Sequence, residues 1–180
     1  MIPTVEELLQ FQELKCVKRH NEIEGRPESC AEHSWSAAML ALLLQEQIPG
    51  VDLLKVVKML LIHDLCEIVA GDQCLYDVDD FEALRHEDRE GAAKIFSKYG
   101  SLLDIWKEFD ERKTLEARFA NCLDKLDSLL QHIHAQGVVW RREARREETI
   151  RQFNAPYILA DFQELFEEIV RRSKDAEFLK

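Results

Sequence analysis

The segment Lys58-Met-Leu-Leu-Ile-His-Asp-Leu-Cys-Glu-Ile-Val-Ala-Gly-Asp72 carries two strongly polar residues, His63 and Asp64, inside an apolar run. Burying an unpaired carboxylate costs several kcal/mol or forces it to take up a proton, so Asp64 needs a cation or dense hydrogen bonding. A divalent metal would satisfy both residues, because imidazole and carboxylate are ordinary ligands for zinc and similar metals. A hydrogen-bonded core pair without metal is the commoner case for the dipeptide alone.

A second histidine stands at the predicted start of an upstream helix. Ser29 and Glu32 have the S-x-x-E spacing of a capping box, in which each side chain bonds to the backbone of the other residue. This pattern places His33 in the first turn of that helix. A buried core histidine without ligand duties is the default reading of His33 taken alone.

An aspartate lies beside the apolar face of a downstream helix, predicted from Leu115 to His134. The apolar face repeats at i, i+3 and i+7 and consists of Leu123, Leu126 and Leu130. Asp124 flanks this face. Asp127, one turn later, is a rival to Asp124 as a metal ligand.

Together these motifs occur in the order of a known family. The residues in common are Glu32-His33-Ser34, then His63-Asp64-x-x-Glu67-x-x-x-Gly71-Asp72, then Leu123-Asp124-Lys125-Leu126. The chain therefore resembles the HD-domain metal-dependent phosphohydrolases, and within them the group that contains the bacterial 5'-deoxynucleotidases. The resemblance covers about residues 14–137.

The resemblance implies one divalent metal ion per chain, which could be Mn, Co, Zn, Fe, Ni or Mg. The implied ligands are His33, His63, Asp64 and Asp124, and the Leu-Asp-Lys frame favours Asp124 over Asp127. Members of the superfamily with two metals carry further histidines between the His-Asp pair and the last aspartate. This chain has only His86 there, so a single metal is expected.

Two acidic residues and one arginine receive further roles from the resemblance. Glu67 would assist the catalytic water and Asp72 would serve the reaction or the leaving group. Alternatively, Glu67 only orients a ligand histidine and Asp72 is only a turn residue. Arg19 would bind the substrate phosphate, which a guanidinium can hold with two hydrogen bonds; Arg26 is a second candidate. The chain departs from the family pattern at His20, where the related enzymes have a tryptophan that helps to select deoxyribose over ribose.

Composition restricts the partners. The 180 residues include 24 basic and 35 acidic side chains, a net charge of −11, which argues against a nucleic-acid polymer or an anionic membrane as partner. The five cysteines are odd in number and lack C-x-x-C spacing, as expected for reduced thiols in a cytoplasmic protein. Neither a signal peptide nor an apolar stretch of 18 residues is evident.

The pattern of apolar residues predicts an all-α, single-domain helical bundle over residues 1–180. Its metal-site core would span about 14–137 and its C-terminal helices about 138–180. Helices are predicted at about 4–16, from His33 to Pro49, at 53–70, within 77–97 after an acidic loop, and at 102–109, 115–134, 140–152 and 156–174. No strand is predicted, and residues 15–27 are expected to form a loop.

The predicted function is a phosphohydrolase that acts on a small phosphate ester, most plausibly a nucleoside 5'-monophosphate. A phosphodiesterase or nucleotide pyrophosphohydrolase could use the same site, although it would need a longer cleft and more basic residues. A third alternative is a helical binding module with a structural metal, which would have no open coordination position. A homodimer is expected because relatives are often dimers.

Overall fold

The computed structural model describes residues 2–180, which are mostly helical, and the predicted all-α fold is confirmed. The α-helices are α1 (Val5–Gln10), α2 (Cys30–Leu44), α3 (Leu53–Ile62), α4 (Glu67–Ala70), α5 (Phe81–Ile95), α6 (Gly100–Glu111), α7 (Leu115–His134), α8 (Val138–Arg142), α9 (Glu147–Asn154) and α10 (Gln163–Asp175). Short 3-10 helices lie at Phe11–Lys15, Gln45–Gln47, His63–Cys66, Leu75–Asp77, Ala155–Tyr157 and Ala160–Phe162.

A small hairpin corrects the prediction of a loop without strands. Strands β1 (Lys18–Ile23) and β2 (Arg26–Ser29) pair antiparallel. Glu24 and Gly25 connect them with φ angles of 47° and 79°, as in the tight two-residue turns that match the twist of a hairpin. The apolar pattern gave no strand signal because polar residues fill most of β1. The hairpin leads directly into α2.

The segment predicted as one helix over 53–70 is interrupted. Helix α3 ends at Ile62, the 3-10 helix His63–Cys66 follows, and α4 begins at Glu67. The Nδ1 of His63 lies 2.8 Å from the carbonyl oxygen of Leu60, and Trp106 donates from Nε1 to the carbonyl oxygen of His63 at 2.9 Å. The side chains of His63 and Trp106 thus hydrogen-bond to backbone carbonyl groups beside the interruption. The interruption lies at the His63-Asp64 pair.

Helices α2, α3 and α7 pack against one another and form the main core. Its fully buried side chains include Ala37, Ala41, Val56, Met59, Phe119, Leu123 and Leu126. Helix α10 adds Phe166, Ile169 and Val170 to this cluster. Burial of a side chain as large as Val, Leu or Phe contributes about 1.5–3 kcal/mol. This shared core therefore holds α2, α3 and α7 in fixed relative positions.

The C-terminal segments are shorter than predicted. The predicted helix 140–152 is two helices, α8 and α9, separated near Ala144, whose φ is 54°. Helix α10 begins at Gln163 rather than Pro156. No helix within residues 2–180 has the length and apolar character needed to span a bilayer. The five cysteines are all free thiols.

Candidate metal centre and active site

His33 lies in the first turn of α2, as predicted, because Ser29 and Glu32 form the capping box. Its ring is fully buried. The Nδ1 atom lies 2.8 Å from Oδ2 of Asp127, and the Nε2 atom lies 3.0 Å from Oδ1 of Asp124. Both aspartates are on α7, so this helix holds the ring from both sides.

His63 is oriented by the backbone. Its Nδ1 donates to Leu60, which leaves Nε2 as the nitrogen without a proton. This Nε2 atom is buried and has no hydrogen-bond partner within residues 2–180. It lies 2.9 Å from Oδ1 of Asp64 and 3.9 Å from Oδ1 of Asp124.

A ring nitrogen of His33, a ring nitrogen of His63 and a carboxylate oxygen of Asp64 lie within 4.8 Å of one another, and Oδ1 of Asp124 lies 3.0 Å and 3.9 Å from the two Nε2 atoms. If Nδ1 of His33 donates to Asp127, both Nε2 atoms face carboxylate oxygens with lone pairs, and the two kinds of atom lie 2.9–3.9 Å apart. Atoms bonded at about 2.0–2.2 Å to one ion stand roughly 3 to 3.5 Å apart. His33, His63 and Asp64 can therefore hold a divalent cation, and the unpartnered Nε2 of His63 is the strongest sign of it.

The directions of the pKa shifts likewise indicate that the acidic side chains of this site favour a positive charge beside them. Burial and the charge of Arg19 lower the pKa of His33, but hydrogen bonds to Asp124 and Asp127 outweigh them and raise it to about 10. Burial raises the pKa of Asp64, yet the His63 ring and Arg19 hold it well below its usual range. Burial likewise opposes ionisation of Asp124, but Lys125 and His33 lower its pKa.

A cavity of about 160 Å³, here called the metal cavity, opens beside the donor atoms. Glu67 and Asp72, the two predicted catalytic residues, both line it. The Sγ of Cys30 donates to Oε2 of Glu67 at 2.8 Å. Burial and the nearby charges of Asp64 and Asp72 raise the pKa of Glu67. Burial also raises that of Asp72, against the lowering effect of Arg19.

Arg19 projects from β1 into the acidic cluster. Its Nη1 lies 3.0 Å from Oδ2 of Asp64 and 3.7 Å from Oδ1 of Asp72, and its Nη2 donates to Ser128 at 3.0 Å. The Nε atom is buried without a hydrogen-bond partner in the described chain. Arg26, the other candidate, is exposed and pairs with Glu32.

A second cavity of about 80 Å³, here called the side cavity, adjoins the metal cavity. Arg19, Asp72 and Lys125 are among the residues that line both cavities, and they are called the border below. His20, the position that departs from the family pattern, also lines the side cavity and pairs with Glu143. The border thus lies between the metal cavity and the side cavity, and a substrate at the border could extend into both.

Sequence reasoning missed several residues of the site. Lys125 pairs with Oδ2 of Asp124 at 2.9 Å, and its only signal was its place in the Leu-Asp-Lys motif. Asp88 of α5 lines the metal cavity, where burial and the charge of Asp64 raise its pKa to about 6. Trp106 lines the same cavity. No pattern in the sequence connects α5 or α6 with the His-Asp pair.

Two residues near the C-terminal helices are less exposed than polar side chains usually are. His132 is buried, lines the side cavity, and stacks its ring on Trp140. Arg145 is mostly buried and pairs with Asp77 and Glu143. His134, on the same helix as His132, is exposed.

Comparisons with known proteins agree on one family for this chain. The HD domain family model matches residues 11–166. The curated relatives include the 5'-deoxynucleotidase HDDC2 of Dictyostelium discoideum, 28% identical over 116 residues that cover 58% of this chain and 61% of the relative. The protein of that name from Xenopus laevis is 26% identical over 179 residues, which cover 89% of this chain and 87% of the relative.

A solved structure matches nearly the whole chain. It is the crystal structure of a protein named "Predicted metal-dependent phosphohydrolase" from Magnetospirillum magnetotacticum MS-1, with a TM-score of 0.87 and 28% identity over 99% of both chains. The family model covers far more than half of the 180 residues. The chain belongs to the HD domain family.

Proposed function

We propose that this HD-domain protein is a metal-dependent phosphohydrolase that removes the phosphate group from nucleoside 5'-monophosphates. The observation that carries the proposal is the buried cluster of His33, His63 and Asp64, in contact with Asp124, beside a cavity whose border holds two cations, Arg19 and Lys125. The names of the relatives support the substrate class, since they are 5'-deoxynucleotidases.

In this proposal His33, His63, Asp64 and Asp124 hold the divalent ion. The ion would act as a Lewis acid toward a phosphate oxygen and toward the attacking water. Asp127 and the carbonyl group of Leu60 fix the two histidine rings through Nδ1, an arrangement that ligand histidines usually require.

Glu67 and Asp72 handle protons in the proposed reaction. Glu67 faces the metal cavity with one oxygen held by Cys30, and its other oxygen can take a proton from the attacking water. Asp72 lies at the border, where it can give a proton to the leaving oxygen. Buried carboxyl groups with raised pKa values suit such transfers near neutral pH.

Arg19 and Lys125 bind the phosphate group in the proposed complex. Both are next to acidic residues that are themselves near the donor atoms, so a phosphate at the border can contact the cations and the metal together. A phosphate monoester carries about −1.5 to −2 charge near pH 7. The two cations therefore favour it over a diester, which carries a single charge.

We also propose that the protein is a cytosolic homodimer and that residues 1–180 form one domain. An apolar stripe with i, i+4, i+7 and i+8 spacing lies exposed on α2 and consists of Trp35, Met39, Leu42 and Leu43. A contiguous apolar patch of this kind is typical of an interaction site. Light scattering on the wild type and on Leu43→Glu tests the proposal, since the variant should be a monomer.

The function is tested by hydrolysis assays on nucleoside monophosphates, cyclic nucleotides, dinucleotides and bis-p-nitrophenyl phosphate, each with several divalent metals. We expect monophosphates to be the best substrates. Arg19→Ala should raise KM for a monophosphate at least about tenfold, which corresponds to a hydrogen bond to a charged group worth about 1.5–3 kcal/mol. Arg26→Ala, the matched control, should have no effect.

The opposite pattern would favour a phosphodiesterase or pyrophosphohydrolase. If Arg19→Ala leaves monophosphate kinetics unchanged while it weakens turnover of diesters or pyrophosphates, the nucleotidase assignment is wrong.

A further inference from the structure

The two ends of the side cavity differ in charge. The border carries Arg19, Asp72 and Lys125. The rest of the lining, called the wall below, consists mainly of uncharged polar and aromatic side chains, among them Asn21, Tyr76, His132, Phe153 and Asn154. A ligand that fits both ends has a charged group at one end and a neutral, hydrogen-bonding group at the other.

His132 is the most informative residue of this wall. It is 4% exposed, and its ring stacks on Trp140 with the ring centres 4.2 Å apart. Within residues 2–180 its ring nitrogens make no hydrogen bond, and they are not among the polar atoms that are fully enclosed without a partner, so they keep access to the space of the side cavity. The unpartnered nitrogens lie at the wall of a cavity, which points to a ligand.

The surroundings keep His132 neutral. Burial, followed by the charges of His20, Arg19 and Arg145, lowers its pKa to about 3. A neutral imidazole offers one donor and one acceptor. It can therefore hydrogen-bond to an uncharged group that has both functions, as nucleobases have.

The two asparagines of the wall add further acceptors. Asn21 donates from Nδ2 to the carbonyl oxygen of Ser128, and Asn154 donates from Nδ2 to Ile150 and Tyr76. The amide nitrogens are thus engaged and the amide oxygens are left to accept. Tyr76 and Phe153, with ring centres 5.5 Å apart, supply an aromatic surface beside them.

We propose that the side cavity binds the nucleobase of a nucleoside 5'-monophosphate and that His132 is a specificity-determining residue that hydrogen-bonds to this base. This inference rests on the proposed function, which places the phosphate at the border. His132 lines the side cavity but not the metal cavity, so it contacts the end of the substrate that is remote from phosphorus.

The test compares His132→Ala with the wild type on nucleoside 5'-monophosphates and on ribose 5-phosphate, which has the same ester without a base. We expect kcat/KM for nucleotides to fall at least about tenfold, mainly through KM, and that for ribose 5-phosphate to stay within about twofold. His134→Ala, an exposed position on the same helix, is the matched control and should leave both substrates unchanged.

A second variant separates recognition from packing against Trp140. His132→Gln keeps a donor and an acceptor and should recover part of the nucleotide activity, whereas His132→Phe keeps the stacked ring and should not. Equal losses on both substrates, or recovery by Phe and not by Gln, would show that His132 only supports the fold. An unchanged nucleotide KM in His132→Ala would also overturn the inference.

Failure of the proposed function gives a different result. In that case the wild type itself shows no preference for nucleotides over ribose 5-phosphate, whatever the variants do. If the wild type prefers nucleotides and His132→Ala has the same preference, only the role of His132 is refuted.

Discussion

Two segments of unlike regularity supply most of the metal cluster. Helix α7 is regular over its 20 residues and begins at the N-cap Thr114. The segment 53–70 changes from α-helix to 3-10 helix and back within 18 residues. Asp124 comes from the regular helix, and His63 and Asp64 come from the irregular part of the other segment.

The difference is explained by what each segment does. Helix α7 buries most of its length against α2, α3 and α10, so it provides a rigid frame for Asp124 and Asp127. Segment 53–70 must turn the adjacent side chains of His63 and Asp64 toward one point and also direct Glu67 into the metal cavity. The interrupted helix does this, and Trp106 bonds to the His63 carbonyl group at the interruption.

The largest effect on turnover should come from the irregular segment. Glu67→Gln keeps the size of the side chain and an acceptor for Cys30 but removes the carboxylate, so turnover should fall about a hundredfold or more while the metal stays bound. Steady-state kinetics with parallel metal analysis measures both quantities. Glu90→Gln, an exposed change on α5, is the control. Activity within a few-fold of the wild type would mean that Glu67 only orients neighbouring groups.

A smaller effect, on metal affinity, should come from the regular helix. Asp127→Ala removes the acceptor of Nδ1 of His33, and loss of such a partner typically weakens metal binding about 10- to 100-fold. Competition with a chelator measures the affinity. Asp104→Ala, at an exposed position of α6, should bind metal like the wild type. If Asp127→Ala binds equally well, α7 is not the frame described above.

The smallest effect should come from the support of the interruption. Trp106→Phe removes the Nε1–H donor of the buried His63 carbonyl group and leaves the weak Cys66 thiol at 3.4 Å as its side-chain donor. A hydrogen bond of this kind contributes about 0.5–1.5 kcal/mol, so the free energy of unfolding of the metal-free protein in urea should fall by about that amount. Leu54→Ala, at an exposed position of α3 outside the α2 stripe, should change it little. Equal values for both variants would mean that Trp106 does not support the turn.

The regular parts of the fold could be predicted from the sequence. The bounds of α7 follow from its apolar period and its N-cap, and the start of α2 follows from the capping box. The interruption at His63 could not be predicted, because a contact that supports it there is a hydrogen bond from Trp106, 43 residues away in sequence. The hairpin was missed because its strands are largely polar.

The candidate site likewise contains residues that the sequence identified and residues that it did not. The resemblance to the HD-domain phosphohydrolases pointed to His33, His63, Asp64, Asp124, Glu67, Asp72 and Arg19. All of these except His33 line the two adjoining cavities, and His33 contacts Asp124; their roles stay predictions. Lys125, Asp88 and His132 were not recognised as site residues because their positions depend on how α5, α7 and α8 pack. No local pattern carries that information.

The central claim is that His33, His63, Asp64 and Asp124 hold one divalent ion, and elemental analysis after metal loading and gel filtration tests it most directly. The wild type should retain about one transition-metal ion per chain. His63→Ala and Asp64→Ala should retain almost none, while His86→Ala, at an exposed position, should match the wild type. A wild type without bound metal, or full occupancy in the His63 and Asp64 variants, would contradict the account.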